Sequence, residues 1–525
     1  MLKPRRWVGV LIYVAAVLVA LRATAQDPAA AGPAVQLSLA EALRTALTNN
    51  LDLVIARRDP QIAAQRVDVN QAKFDPVVGA HVDFTRASDD STITDKVFNT
   101  QEDAPQDTDT WNGNVSWDDL LEFGGSYRVV LGTFRRDDTS RNVESATGIF
   151  TERTSDVTSD GLTLHYEMPL LRGLGREVNT VDVLLARSGV EASRETLKLT
   201  AIQTIQSVEN AYWDLVAAQA ALSVARESLK LAQDLYELNK KKVEVGTLAP
   251  IEITQAEAGM ASREEGVIVA EAAVQNAEDT LRRLLAIPKG DPSWDRPLEL
   301  TDRPQFEART VDVEGSFTTA MQNRPEIATA RLSLRDRELS ERVARNAVRH
   351  TLNLVAELNP TQSKVDQVVA IPPNPPVSDT HADGDGRSWL IGLTYAYPLR
   401  NRQARANYAI SKLDREKSEL TVQSVEQDIR VDVRVAARNV ESGAKRVSAA
   451  KSNTVLQRKT LEAEQKKFEN GMSTSFEVLR IQTDLSNAQL SEIQAILDYT
   501  KSLADLERAQ GTLLEARGLS LANPS

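Results

Sequence analysis

The chain has 525 residues, of which 42% are hydrophobic, 26% charged and 5% aromatic, and it contains no cysteine. That length exceeds one ordinary core, so several domains or an elongated architecture is expected. The missing cysteine excludes disulfides, thiolate zinc sites, a cysteine nucleophile and a lipid anchor on an N-terminal cysteine. A formal net charge of −12 argues against a nucleic-acid partner, which would need a basic face.

Lys3, Arg5 and Arg6 precede an apolar stretch from Trp7 to Leu21, and Ala23-Thr24-Ala25 follows it. This order reads as a cleaved secretory signal over residues 1–25; the alternative is a short N-terminal membrane anchor, for which the run is short. No later stretch approaches the ~20 apolar residues of a spanning helix, so the exported part is soluble or a β-barrel.

After leading helices within 26–76, residues 77–168 change character. Val78, Ala80, Val82 and Phe84 alternate with Gly79, His81, Asp83 and Thr85, and Leu162, Leu164, Tyr166 and Met168 with Gly161, Thr163, His165 and Glu167. Period-two alternation fits strands with one apolar and one wet face, in a membrane barrel or in a soluble sandwich. Export, the placement of Trp111, Trp117 and Trp389 in these segments, and long polar connections at 87–110, 137–159 and 359–387 against a short turn at 120–125 favour the barrel.

From Pro169 to residue 288 the pattern becomes helical. Val208, Leu215, Leu222, Leu229 and Tyr236 recur every seven residues, with Ala211, Ala218, Ala225 and Ala232 three positions after the first four. A strict heptad winds helices into a left-handed coiled coil, and alanine in the seam lets the backbones approach. One long helix is expected over 176–244, then a glycine turn at Gly246 and a return helix over 250–287.

A linker over 289–312 leads into a second round. A helix is expected at 313–349 and barrel strands within 350–397, where Trp389, Ile391, Leu393, Tyr395 and Tyr397 share a face. Pro398 opens a second coiled-coil hairpin, 398–515, whose return helix starts at residue 475, and a tail covers 516–525. Its seam is Val433, Val440, Val447, Thr454 and Leu461, with Ala436, Gly443, Ala450 and Gln457 at the small positions.

Three ordered matches make the chain a tandem duplication of a helix–strand–strand–long helix–return helix unit. Ala46, Asn49, Asp52 and Arg57 meet Ala320, Asn323, Glu326 and Arg331 at an offset of 274; Pro169-Leu170 meets Pro398-Leu399 at 229; Gly246 and Glu252 meet Gly471 and Glu477 at 225. The first copy carries 45 extra residues between its matched points, enough for a hairpin within 111–136. If that hairpin enters the barrel, a chain supplies six strands; otherwise it supplies four. Neither closes well alone around a tunnel, so several chains are expected to share one barrel.

No enzyme chemistry emerges. His81, His165, His350 and His381 have no ligand spacing, and the Gly173-Leu-Gly175 stretch lacks the third glycine of a dinucleotide loop. Asp383-Gly-Asp385-Gly has Arg387 at the next calcium-ligand position and no closing Glu, so it reads as a solvated loop beside the Pro-rich run 371–376. No metal or cofactor is expected.

The signal, the duplicated units, the proline at each strand-to-helix junction and the Gly tips with an acid six residues on together resemble the TolC-like outer-membrane efflux family over residues 35–515. The resemblance implies a mainly α fold with a transmembrane β-barrel, in which a homotrimer forms an α/β-barrel tunnel through the outer membrane and periplasm. It implies a passive exit duct, not an enzyme, working with a periplasmic adaptor and an inner-membrane transporter in a tripartite pump or type I secretion system. It assigns Val245, Gly246, Thr247 and Leu248, and Asn470, Gly471, Met472 and Ser473, to adaptor docking.

By the same resemblance Glu477 faces the pore, where three copies would make a ring of carboxylates. This chain departs from the family at Arg480, where a second acid often stands, and at Phe468 and Ser473, where a Tyr and an Arg can latch the tip. A Glu477–Arg480 ion pair with Glu252 as a further partner is the alternative to a carboxylate ring. A periplasmic coiled-coil adaptor and a soluble coiled-coil scaffold are the rival readings; an adaptor normally carries one hairpin, and this chain has two plus belted strands.

Overall fold

The computed structural model describes residues 35–95, 100–144, 149–288, 290–291, 294, 296–371 and 376–521. The expected signal at 1–25 lies outside the described residues, as do parts of the linker 289–312, of the run 371–376 and of the tail 516–525. The described residues divide into two compact units, one drawn from 1–57, 197–325 and 426–525 and the other from 58–196 and 326–425.

The first unit is almost wholly helical. Strand β1 (Val35–Leu37) leads into α1 (Leu39–Asn49) and α2 (Leu51–Ala56). These two helices part at Asn50, whose side-chain oxygen accepts from the N–H groups of Asp52 and Leu53 at 3.0 and 3.3 Å. Residues 197–244 of α5 (Val181–Glu244) and the return helix α6 (Ile251–Leu285) follow. Strand β6 (Leu298–Leu300) then pairs in parallel with β1. Leu43, Leu53, Ile205, Val208, Leu215, Leu281 and Leu497 are buried together around this two-stranded ribbon. The Tyr212 hydroxyl, also buried there, donates to the carboxylate of Asp302 at 2.8 Å. Burial and that carboxylate hold the phenol in its neutral form.

The expected single helix at 313–349 is two, α7 (Val313–Asn323) and α8 (Pro325–Ala347). Pro325 has no N–H to continue the helix and forces Arg324 into an extended conformation, φ −73° and ψ 128°. The second hairpin consists of α9 (Arg402–Glu469) and α10 (Ser475–Gln510), followed by the short α11 (Leu513–Ala516). On α9 the seam runs Val433, Val440, Val447, Thr454, Leu461 and Phe468, none more than 5% exposed. On α5, Val208, Ala211, Leu215 and Ala232 are buried, whereas Ala218, Leu222, Ala225, Leu229 and Tyr236 are half-buried. The long helix expected from residue 176 also begins later. Residues Arg176–Asn179 form a separate turn, α4, held by Asn179 Nδ2 to the Gly173 and Gly175 carbonyls at 2.7 and 2.8 Å.

The second unit carries α3 (Arg58–Gln71) and one antiparallel sheet. Its strands are β2 (Val77–Asp95), β3 (Thr100–Leu120), β4 (Ser126–Glu144), β5 (Ile149–Pro169), β7 (Thr351–Ala370) and β8 (Pro376–Ala396), in that order across the sheet. The hairpin within 111–136 therefore enters the sheet, which has six strands among the described residues. The turn between β3 and β4 requires Gly124, whose φ is +105° and whose missing Cβ would sit 2.4 Å from the Gly173 carbonyl.

The described residues of the long polar connections expected at 87–110, 137–159 and 359–387 are, apart from residue 371, instead the outer halves of these strands. Each strand has 19 to 21 residues, about twice the ~10 needed to cross a bilayer. The backbone ladder continues past the apolar rows, and polar pairs replace the apolar ones. Arg86 binds Asp109 through two bonds of 2.7 and 2.5 Å, and Thr108 donates to Asp138 at 2.7 Å. Asp383 and Asp385, expected in a solvated loop, pair along β8 with Lys364 and Gln362 of β7.

The register aligns the alternation seen in the sequence into one surface. Val78, Trp117, Val129, Leu164, Leu358 and Trp389 form a single cross-strand row through all six strands. Phe84, Val115, Leu131, Ile391 and Leu393 widen it. The opposite face carries Asp118, Arg128, His165 and Glu357 in one row, with Arg128 paired to Asp118 and His165 3.5 Å from Glu357. Among the described residues no helix is long and apolar enough to cross a membrane. The apolar side of this sheet is the surface suited to lipid.

Candidate functional site

The predicted tip residues form two turns of the same construction. At the end of α5, Gly246 N donates to Val243 O at 2.9 Å and Thr247 N to Lys242 O at 2.8 Å; at the end of α9, Gly471 N donates to Phe468 O at 3.1 Å and Met472 N to Lys467 O at 2.8 Å. Both glycines have φ +75°. This is the helix-closing pattern in which a left-handed glycine lets two orphan carbonyls be satisfied. The return helices start differently. Pro250 opens the first with no side-chain cap, whereas the Thr474 hydroxyl accepts from Glu477 N at 3.4 Å at the start of the second.

The two turns lie together. Lys242 Nζ donates to the Phe468 carbonyl at 2.8 Å and sits 4.2 Å from the centroid of its ring. Glu252 accepts from the Ser475 hydroxyl, and Asn239 Nδ2 donates to the Glu252 carbonyl at 3.1 Å. Phe468 and Ser475 are buried, and Leu235, Leu461, Val478, Ile481 and Leu485 complete the apolar cluster beneath them. Val245, Ile251, Met472 and Phe476, by contrast, are between 60% and 73% exposed at the tips. These exposed apolar side chains stand over a buried base.

Arg480 is the hub of the charged face. Its Nε and Nη2 reach Glu477 Oε2 at 3.0 and 2.8 Å, and its Nη1 reaches Asp484 Oδ2 at 3.2 Å. Glu477 raises the guanidinium pKa above its ordinary value. Within one chain Glu252 does not join this group, where the alternative reading had it. It lies at the first turn of α6, where the buried Ser475 hydroxyl takes its carboxylate, and Arg480 finds its second carboxylate one turn along its own helix. Asp484 was available from its i+4 spacing to Arg480; the Glu252–Ser475 contact joins residues 223 apart and leaves no local signal. One turn above, the Ser473 hydroxyl and then Lys467 hold the Glu464 carboxyl below its usual range. The junction prolines Pro169 and Pro398 lie at the end of β5 and just past the end of β8.

A family model described as outer membrane efflux protein matches residues 129–286 and 317–512. Nodulation protein T of Rhizobium leguminosarum bv. trifolii is 23% identical over 333 residues, covering 62% of this chain and 67% of that protein. The toluene efflux pump outer membrane protein TtgC of Pseudomonas putida is 24% identical over 328 residues, covering 61% of this chain and 63% of that protein. The matches thus span about two thirds or less of these relatives' own length. Among solved structures, the Campylobacter jejuni CmeC outer membrane channel superposes with a TM-score of 0.60 at 18% identity, over 90% of this chain and 86% of that one. The open state of the Neisseria gonorrhoeae MtrE outer membrane channel gives 0.58 at 17%, over 90% and 89%. The fold of long helices and an antiparallel sheet is therefore that of TolC-like channels.

Proposed function

The chain belongs to the outer membrane efflux protein family, and from that premise we propose that several copies, three by family resemblance, close their sheets into one barrel and serve as the passive exit duct of a tripartite export assembly. It is an outer-membrane protein that extends into the periplasm. One observation carries the duct: a six-stranded sheet with an unbroken apolar row on one face, a charged row on the other and, among the described residues, unpaired edges at β2 and β8. Unpaired edges are a template for pairing with a further chain, and in lipid they must be closed. Three such sheets would give eighteen strands, in the range of barrels that enclose an aqueous channel.

The duplicated halves supply two hairpins each ending in a glycine turn. Val245–Leu248 and Asn470–Ser473, with their exposed apolar neighbours, suit docking of a periplasmic adaptor, through which an inner-membrane transporter supplies the energy. Glu477, with Arg480 and Asp484, stands at the tip as a charge filter. Because Arg480 is shared by two carboxylates, the filter is weaker for cations than a bare ring of glutamates. The exposed belt on the sheet and the family membership favour the duct over a soluble scaffold or an adaptor.

Purification in detergent, native mass determination and planar-bilayer recording test the reading together. The expected result is a homo-oligomer that opens ion-conducting pores. A monomer that dissolves without detergent and leaves bilayers silent refutes it.

A further inference from the structure

A cavity of about 620 Å³ lies in the sheet-bearing unit, where the chain passes from strand to helix. Its floor is apolar, built from Val181 and Leu185 on α5, Val343 and Ala347 on α8, and Pro398. Its rim is cationic: Arg172, Arg400 and Arg402 line it, and among the described residues none of the three makes an ion pair. Among the described residues the one carboxylate at the rim is Asp182, which Lys73 approaches at 3.9 Å.

The Lys73–Asp182 contact places the cavity beside the polar side of the sheet. Lys73 also lines a recess with Asp118, Arg128 and His165, all on the polar face. On α9, Gln403 and Asn407 face the cavity, whereas Arg405, near the opposite side of the helix, reaches the Tyr397 hydroxyl at 3.4 Å. Tyr397 stacks on His350 at 4.0 Å between centroids, and His350 contacts the hydroxyl of Tyr395, a residue of the apolar face. Arg402, one turn of α9 before Arg405, lines the cavity too, so the cavity's side is set by the Lys73 recess.

We propose that this cavity binds amphiphilic organic anions: an apolar body on the α5–α8 floor, and a carboxylate, sulfonate or phosphate head among Arg172, Arg400 and Arg402. The inference rests on the duct reading, under which the polar side of the sheet is the lumen wall. Three guanidinium forks with no carboxylate partner among the described residues match the two-oxygen edge of such a head group. The start of α9 adds to the field: its first turn contains Arg402 and Arg405 and no acid, so the positive end of a 68-residue helix stands uncompensated beside the rim. The volume falls in the range that holds a drug-sized ligand. An inorganic anion would use the rim and leave the floor wet; a neutral amphiphile would use the floor and leave the rim uncompensated.

The test is equilibrium binding by titration calorimetry on the full chain in detergent, with 2-naphthalenesulfonate as the probe and 2-naphthol and inorganic sulfate as the controls. The expected result is one sulfonate site per chain, with both controls bound at least about tenfold more weakly. Arg400→Gln with Arg402→Gln should weaken sulfonate binding by about tenfold or more. Ala344→Trp, which fills the floor and keeps the arginines, should abolish it. Equal binding of sulfonate and naphthol, or equal binding by the wild type and both variants, overturns the proposal. The readout needs no pore, so a silent bilayer counts against the duct alone, and a conducting channel without a sulfonate site counts against the cavity alone.

Discussion

Phe468→Ala probes the base on which both tips rest. The ring is 2% exposed and packs with Leu235, Leu461, Val478, Ile481 and Leu485. Removing a buried phenyl from such a cluster costs about 3–5 kcal/mol in lost transfer energy and cavity. Loss of the Lys242 ammonium over the ring adds about 0.5–2 kcal/mol. The bond from Lys242 to the residue 468 carbonyl survives, because it uses backbone. Together these make about 3.5–7 kcal/mol, and since about 1.4 kcal/mol is a factor of ten, the open state of the tips should rise by about two and a half to five powers of ten. Hydrogen exchange of the amides of residues 465–482 reads that opening directly. A faster basal leak in planar bilayers should accompany it. Phe468→Leu, which keeps most of the volume, should stay within about 1.5 kcal/mol of the wild type. If the alanine variant stays oligomeric and exchange rises less than tenfold, the cluster does not hold the tips.

Arg480→Ala should free the Glu477 and Asp484 carboxylates and shift the reversal potential toward cations, whereas Glu477→Ala should shift it the other way; unchanged potentials would remove Glu477 from the filter. Ile391→Arg sets a charge in the exposed belt, at a cost of about 2–4 kcal/mol near the bilayer midplane, and should lower recovery from the outer-membrane fraction. The Glu464 carboxyl is depressed by Ser473 and Lys467, so its contribution to tip order is present above its unfolded pKa and is lost as pH falls through the lower folded value. A spin label on Met472→Cys, unique in a chain without cysteine, should therefore gain mobility only at acid pH, and Ser473→Ala should move that onset toward neutrality. Gly124→Ala forces a Cβ against the Gly173 carbonyl at a positive φ, and should disorder the β3–β4 turn and lower thermal stability.

Much of this architecture is legible in one dimension. The seven-residue spacing from Val433 to Leu461 and the alternation from Trp389 to Tyr395 are periodicities, and each period states which side of its element is apolar without reference to any other part of the chain. The two glycine turns are legible for the same reason, because closing a helix with a left-handed residue is a local requirement. The outer halves of the strands were not legible: from Asp107 to Asp109 or from Asp383 to Asp385 neither face is apolar, and only the partner strand makes them β. The tip carboxylates divide along the same line. Glu477 and Asp484 reach Arg480 within one helix, and their spacing shows it.

Composition and periodicity alone determined a cysteine-free chain of paired helical hairpins and two-faced strands, because those properties belong to segments. The tertiary structure decided that the extra hairpin joins the sheet, that Glu252 serves Ser475 rather than Arg480, and that Arg172, Arg400 and Arg402 meet around one cavity. Each of these joins residues far apart in the chain, and such contacts are set by the register of the sheet and the closing of the hairpins, which no local pattern encodes.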